Sequence, residues 1–91
     1  MKSKFIIFRS VPKELNIDEL KWYLASEAFE FKSVVSIVEF PTIYDLDKTK
    51  DVLVEFDSHE SAEFVADKKS FIYQSKSKRF ELKPLIYYKG H

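Results

Sequence analysis

The stretch that decides the fold reads Asp51-Val52-Leu53-Val54-Glu55-Phe56. The apolar side chains of Val52, Val54 and Phe56 alternate with residues that point the other way, and a period of two is typical of a strand with one buried and one solvated face. Asp57 and Ser58 follow at once, and both residue types commonly begin helices. The sequence therefore predicts a strand that passes directly into a helix.

A first strand is predicted from Phe5 to Ser10, with Ile6 and Phe8 on one face. Pro12 ends it, because proline has no amide hydrogen to give to a strand ladder. The opposite face carries Phe5, Ile7 and Arg9.

The first helix is predicted to begin at Asn16. Its side chain can accept a hydrogen bond from the amide of Glu19 while Glu19 reaches back, as in a capping box. Leu15 and Leu20 stand where a hydrophobic staple would hold the start of the helix. Apolar residues then recur at helical spacing. This stripe consists of Ile17, Leu20, Tyr23 and Leu24.

The remaining segments complete an alternation of strands and helices. They are a strand over 33–40, a polar loop over 41–50, a helix capped by Asp57 or Ser58 with Ala62, Val65 and Ala66 on its buried side, a short extra strand over 71–73, a turn over 74–78 and a last strand over 79–86. The order β-α-β-β-α-β predicts an α+β, ferredoxin-like domain, in which two helices cover one face of a four-stranded antiparallel sheet. Right-handed crossovers place the first and third strands in the middle.

Length and composition predict a single domain with a packed core. The chain has 91 residues, of which 45% are hydrophobic and 16% aromatic. It has no cysteine, which excludes disulfides and thiolate metal sites, and no run of about 20 apolar residues that would span a membrane. We expect residues 1–91 to be one domain of a longer protein.

Charge is distributed unevenly, although the formal net charge is zero. Residues 1–63 carry 8 Lys and Arg against 13 Asp and Glu, whereas residues 64–91 carry 7 against 2. Two interpretations of the basic third stay open: it is a solvated surface, or it is the end of the domain that faces phosphates. A net charge of zero is not typical of a strong nucleic-acid binder.

The sequence does not predict an enzyme. Gly90 is the only glycine, so there is no glycine-rich loop for phosphate. His59 and His91 lack the spacing of metal ligands, and Asp45 and Asp47 have no motif around them. We therefore expect no cofactor and no metal.

Two stretches resemble the motifs of the RNA-recognition motif (RRM) family. Residues 6–12 resemble its shorter motif, an aliphatic and aromatic strand that ends in Asn-Leu-Pro, and residues 51–56 match the core half of its longer motif, [KR]-G-[FY]-[GA]-F-V-x-[FY]. The positions of the stacking aromatics are occupied by Ile7, Leu53 and Asp51. Because each stacked base contributes about 1–3 kcal/mol, we expect the sheet alone to bind single-stranded RNA weakly or not at all.

The closer resemblance is to the RRM that follows the La motif in La proteins. It is carried by Ile17-Asp18-Glu19-Leu20-Lys21 with Leu24, by Val34-Val35-Ser36-Ile37, and by Val54-Glu55-Phe56-Asp57-Ser58 with Glu60-Ser61-Ala62 and Phe64-Val65. The resemblance implies an RRM sandwich that assists an adjacent La motif in binding the uridine-rich 3′ ends of RNA polymerase III transcripts. It further implies a nuclear ribonucleoprotein with a role in tRNA processing, with the cytoplasm as a second compartment. We expect single-stranded RNA as the partner, a monomer, and no membrane contact.

The resemblance also implies which residues contact RNA. In that family a uridine is contacted from the edge of the second strand and not from the exposed face of the sheet; this edge corresponds here to Ser36 and Ile37, with Val38 beside them. Lys78, Arg79 and Lys83 are candidates for phosphate contacts, or else ordinary surface residues. The sheet face adds four further candidates, Phe5, Ile7, Arg9 and Leu53.

Two alternatives remain open. The segment 84–91, with Tyr87 and Tyr88, folds across the sheet face and shields it. Alternatively, the chain is a degenerate RRM that contacts proteins through its helical face, with Trp22 at the centre. Trp22 is predicted to pack along a flank of the core, with a partner-docking surface as the other interpretation.

Overall fold

The structure, a computed structural model, describes residues 2–26, 29, 33–41, 48–76 and 78–88. Within them the chain is an α+β domain with two helices and antiparallel sheets. Asp45, Asp47, Gly90 and His91 lie outside the described residues. The elements in chain order are β1 (Phe5–Pro12), α1 (Ile17–Leu24), β2 (Val34–Pro41), β3 (Thr49–Phe56), α2 (His59–Ala66), β4 (Phe71–Ser75), β5 (Lys78–Leu82) and β6 (Pro84–Tyr87).

Four of the strands form one antiparallel sheet in the order β2-β3-β1-β6. The first and third strands are therefore central, as the sequence predicted. Their register places Ile6 opposite Val54 and Phe8 opposite Val52. Because directly opposed residues share a face, the core side chains of both central strands lie side by side.

One face of this sheet is buried under both helices. Val52, Val54 and Phe56 are fully buried, as their alternation predicted, and so are Ile6 and Phe8. The buried residues of both helices join the same apolar cluster, so the two helices lie on the same side of the sheet. Those residues are Leu20 and Leu24 in α1 and Ala62 and Val65 in α2.

Both helices begin where the sequence predicted. The Asn16 Oδ1 accepts from the amides of Asp18 at 2.9 Å and Glu19 at 3.1 Å, and the Ser58 hydroxyl accepts from the amide of Ser61 at 3.2 Å. The predicted return bond of the capping box does not form. Instead, the Glu19 carboxylate accepts hydrogen bonds from hydroxyl groups of β4.

The last third of the chain differs from the prediction. The strand predicted over 79–86 is divided at Lys83, since β5 pairs with β4 in a separate hairpin and only β6 joins the main sheet. The described residues therefore form six strands in two sheets, not the predicted β-α-β-β-α-β order. Local pairing explains the difference, because Lys76, with φ 56°, adopts the left-handed conformation of tight turns and brings β5 back onto β4.

The hairpin packs on the same side of the sheet as the helices. The ring of Tyr73 lies 5.0 Å from that of Tyr23 in α1 and 6.1 Å from that of Phe80, measured between centroids. The hydroxyls of Tyr73, at 3.5 Å, and of Ser75 donate to the Glu19 carboxylate. The hairpin thus extends the core beside α1. The Glu19 carboxylate accepts hydrogen bonds from the hairpin and not from the start of its own helix.

The difference in burial between Ile6 and Ile72 predicts different losses of folding stability for the same substitution at the two sites. Ile6→Val should lower the free energy of unfolding by about 0.5–1.5 kcal/mol, because the site is fully buried and the lost methylene leaves unfilled space. Ile72→Val removes the same group from an exposed position of β4 and should change it by less than about 0.5 kcal/mol. Urea unfolding measures both, and equal losses would contradict the assignment of the buried face.

The environment of Tyr73 predicts a loss of stability at high pH. Burial raises the pKa of Tyr73 above its ordinary value of 10.0, and the Glu19 carboxylate raises it further, while a hydrogen bond with Ser75 lowers it. Above pH 10 the unfolded chain therefore binds less of this proton than the folded chain, so folding stability declines as pH rises. Tyr73→Phe should make that decline shallower in urea unfolding.

A direct control for this prediction is the NMR titration of the Tyr73 ring. Glu19→Gln should bring the Tyr73 pKa closer to its ordinary value, because the variant removes a nearby negative charge. A Tyr73 ring that ionises below pH 10.0 in the folded protein would show that this account of the hairpin contact is wrong.

Candidate nucleic-acid interface

The sheet face turned away from the helices carries a continuous apolar row. Leu53 lies opposite Val38 on one side and Ile7 on the other, and Ile7 lies opposite Leu85. Since directly opposed residues point to the same face, this row crosses all the strands of the sheet. Both helices and the hairpin pack on the other side. Accessibility varies along the row: Val38 and Leu85 are exposed and Leu53 is partly exposed, whereas Ile7, predicted to contact RNA, is buried, with 8% of the residue exposed. We call this surface the open face.

A second row on the open face combines charge with aromatic rings. Ser36 lies opposite Glu55, Glu55 opposite Phe5, and Phe5 opposite Tyr87. The Ser36 hydroxyl donates to Glu55 at 3.4 Å, and the Lys4 ammonium lies 3.9 Å from the same carboxylate. The row therefore has an acidic centre, which repels phosphate, and an aromatic end beside β6.

A bulge in β1 determines how Arg9 and Ser10 are placed at the end of the open face. The register shifts between Phe8 and Val11, so both Arg9 and Ser10 stand opposite Asp51. Ser10 has φ 56°, and its amide donates to Asp51 Oδ1 at 2.9 Å. Asp51 thus stabilises the bulge, and its side chain has no aromatic ring that could stack on a base. Arg9 is exposed beside it.

The open face brings together most of the residues that the sequence predicted for RNA contact. Ile37 is not among them, because its side chain lies opposite Val54 and packs against the core. Arg79 is exposed on β5, and Lys83 is exposed between β5 and β6. The predicted residues that do share the open face are Phe5, Ile7, Arg9, Ser36, Val38 and Leu53.

Three residues of the open face were missed by sequence reasoning. They are Phe40, Leu85 and Tyr87, of which Tyr87 was expected only in a segment folded across the face, not as a residue of the sheet itself. The alternation of Ser36 and Val38, continued by one more step, would have identified Phe40, whose exposed fraction is 48%. No comparable signal existed for the two residues of β6, because their face depends on where the last strand divides.

Trp22 lies on the outer side of α1. The prediction that it packs along a flank of the core is wrong, because 80% of the residue is exposed. It stands opposite the buried stripe of the helix, next to Asp18, Lys21 and Ala25. An exposed side chain of this size is a candidate contact for another protein.

The C-terminal segment does not shield the open face over its described part. Pro84–Tyr87 forms β6 within the plane of the sheet, and residues 89–91 lie outside the described part of the chain.

Two lysines of the basic segment 64–91 contact other side chains of the domain. The Lys78 ammonium lies 3.1 Å from Glu14, and that of Lys68 lies 4.7 Å from the centre of the Phe64 ring.

The described residues were compared with the requirements of a metal site and of a membrane-spanning helix. Among these residues, no group of three or more His, Cys, Asp or Glu could hold a metal ion. Neither of the two helices in the described part of the chain is long and apolar enough to cross a membrane.

In comparison with known proteins, no family model, no curated protein and no solved structure matches the chain.

The contact between Asp51 and the bulge can be tested by substitution. Asp51→Ala should lower the free energy of unfolding by about 1 kcal/mol, because the Ser10 amide loses its acceptor. Asp51→Asn keeps an oxygen acceptor at the site and should cost less. Urea unfolding measures the loss, and the Ser10 amide resonance reports the bond. Equal stability of all three proteins would contradict the role of Asp51.

Proposed function

We propose that this domain binds single-stranded, uridine-rich RNA on its open face, together with an adjacent La motif. The observation that carries the proposal is the register pair Ile7–Leu53. These residues occupy the stacking positions of the two motifs that the sequence resembles, and they are neighbours in the middle of the sheet. In RRM domains, the corresponding positions on the sheet hold bases.

In this proposal the main sheet and the two helices are an RRM sandwich of the ferredoxin-like kind. The strand order β2-β3-β1-β6 supports it, because the two motif strands are central. Without the hairpin β4–β5, the remaining elements follow the order β-α-β-β-α-β. The hairpin is then an insertion between α2 and the last strand.

The second strand supplies the contact to a uridine held by the La motif. Ser36 and Val38 are exposed on the open face and belong to an edge of the sheet. Ile37 packs inward, so it contributes through its backbone alone. The RNA then extends from this edge towards Leu53 and Ile7.

The isolated domain has low affinity in this proposal. Leu53 offers apolar contact without a ring, Ile7 is buried and offers little surface, and each absent stack removes about 1–3 kcal/mol. The Glu55 carboxylate also opposes phosphate, and the Lys4 ammonium, 3.9 Å from it, offsets only part of this effect; Arg9 is a second cation on this face. The La motif supplies the remaining affinity, and the two act on the 3′ ends of RNA polymerase III transcripts in the nucleus.

A second function is favoured by the exposure of Trp22. An indole that is 80% exposed on the outer side of α1 suits a protein partner that docks on the helical face. In that case the domain is a degenerate RRM that contacts protein, and its sheet residues take no part in binding.

An NMR titration with a short oligouridine separates the two functions. The first predicts shifts at Ser36 and Val38 once the domain is joined to a La motif, and small or no shifts in the domain alone. The Trp22 indole should not respond. Absence of shifts in both forms would contradict RNA binding, and the Trp22 surface would then be the one to test with protein partners.

The charge of the open face gives a matched pair of variants. Glu55→Gln should strengthen oligouridine binding by the joined protein about two- to fivefold, because it removes a negative charge among the predicted RNA contacts. Glu81→Gln makes the same change of charge on β5, away from the open face, and should leave affinity unchanged. Fluorescence anisotropy at constant ionic strength measures both. Equal gains would show that only the overall charge matters.

A further inference from the structure

Strand β2 is an exposed edge of the main sheet. It has eight residues, and among the described residues no strand pairs with its outer side. Apolar side chains are unusually accessible along it: Val38 is 44% and Phe40 48% exposed, and Val35 is exposed as well. An edge with free backbone donors and acceptors and exposed apolar side chains is suited to pairing with another strand.

The usual protection of an edge strand is weak in β2. It has no lysine, its proline is the terminal Pro41, and its irregularity is confined to the segment between Val34 and Ser36. The other edge differs, because β6 has only four residues and begins with Pro84, which has no amide hydrogen to donate. The two edges of the sheet are therefore not equivalent, and β2 is the one open to pairing.

We propose that β2 pairs with β2 of a second copy of this chain, antiparallel and about a twofold axis normal to the sheet. Such pairing joins the two main sheets into one continuous sheet and satisfies the free backbone groups of both edges. The inference goes beyond RNA binding, and pairing occupies the β2 edge that the proposed uridine contact uses, so the two compete for this edge. The inference replaces the monomer that the sequence predicted.

The charges of the strand favour a second copy as the occupant. Glu39 is the only charged residue of β2, and its carboxylate already accepts from the Lys50 ammonium at 2.6 Å. Pairing centred on Ile37 or Val38 keeps the two Glu39 side chains from facing each other directly. The chain has a formal net charge of zero, so no long-range repulsion opposes association of two copies.

The twofold axis has a consequence for the open face. Rotation about the normal to the sheet leaves both open faces on the same side. When the pairing is centred on Val38, the two Val38 side chains lie opposite each other and the apolar rows become continuous across the seam. The assembly therefore presents twice the surface of one domain to a ligand.

The test is sedimentation equilibrium of the 91-residue chain over a range of concentrations. We expect the mass to rise towards that of two chains. Val38→Lys should weaken the association at least about tenfold, because it places a charge at the seam. Leu85→Lys is the matched control: it adds the same charge to the open face at a site that is 51% exposed, but on β6, and should leave the association unchanged.

A second variant and a hydrogen-exchange measurement allow the proposal to be tested even if Val38→Lys does not fold. If Val38→Lys is not folded by circular dichroism, Phe40→Lys tests the same seam. Hydrogen exchange of the β2 amides should slow as the concentration of the unmodified protein rises, and not in the seam variant. The mass of one chain at every concentration, or equal weakening by Leu85→Lys, would overturn the proposal.

Discussion

The antiparallel pairing of β1 and β3 is the constraint on which the rest of the structure depends. It aligns two alternating patterns in one register, with Ile6 against Val54 under the helices and Ile7 against Leu53 on the open face. A slip of one residue would turn Glu55 towards the core, at a large desolvation cost. The bulge at Ser10, held by the carboxylate of β3, ends this register before the strand enters the loop to α1.

The hairpin gives the two faces of the sheet different roles. Its aromatic side chains, together with Tyr23 of α1, add to the core on the helical side, and Glu19 holds it there through hydroxyl contacts. Stability is therefore concentrated on one face of the sheet. The other face keeps apolar side chains such as Val38 and Leu85 accessible, although exposing them to water is unfavourable. A surface of this kind is typical of a binding site.

The sequence predicted correctly those elements that are specified by a few neighbouring residues. The alternation through Val54 and the cap at Asn16 each involve a few neighbouring residues, and both were confirmed. The division of the last strand at Lys83 was not predictable, because β5 could pair with β4 or continue along β1, and only tertiary packing decides between them. The open face shows the same limit: Leu53 was assigned to it by alternation, whereas Tyr87 required the register of a strand that the sequence did not delimit.

The central claim is that RNA lies on the open face and not on the helical face. The most direct measurement is paramagnetic broadening by a spin-labelled oligouridine, observed in the domain joined to a La motif. The account predicts broadening of the Val38, Leu53 and Ile7 methyl resonances, with the Trp22 indole unaffected, because the two sites lie on opposite sides of the domain. Broadening of the Trp22 indole with sharp methyl resonances would contradict the account.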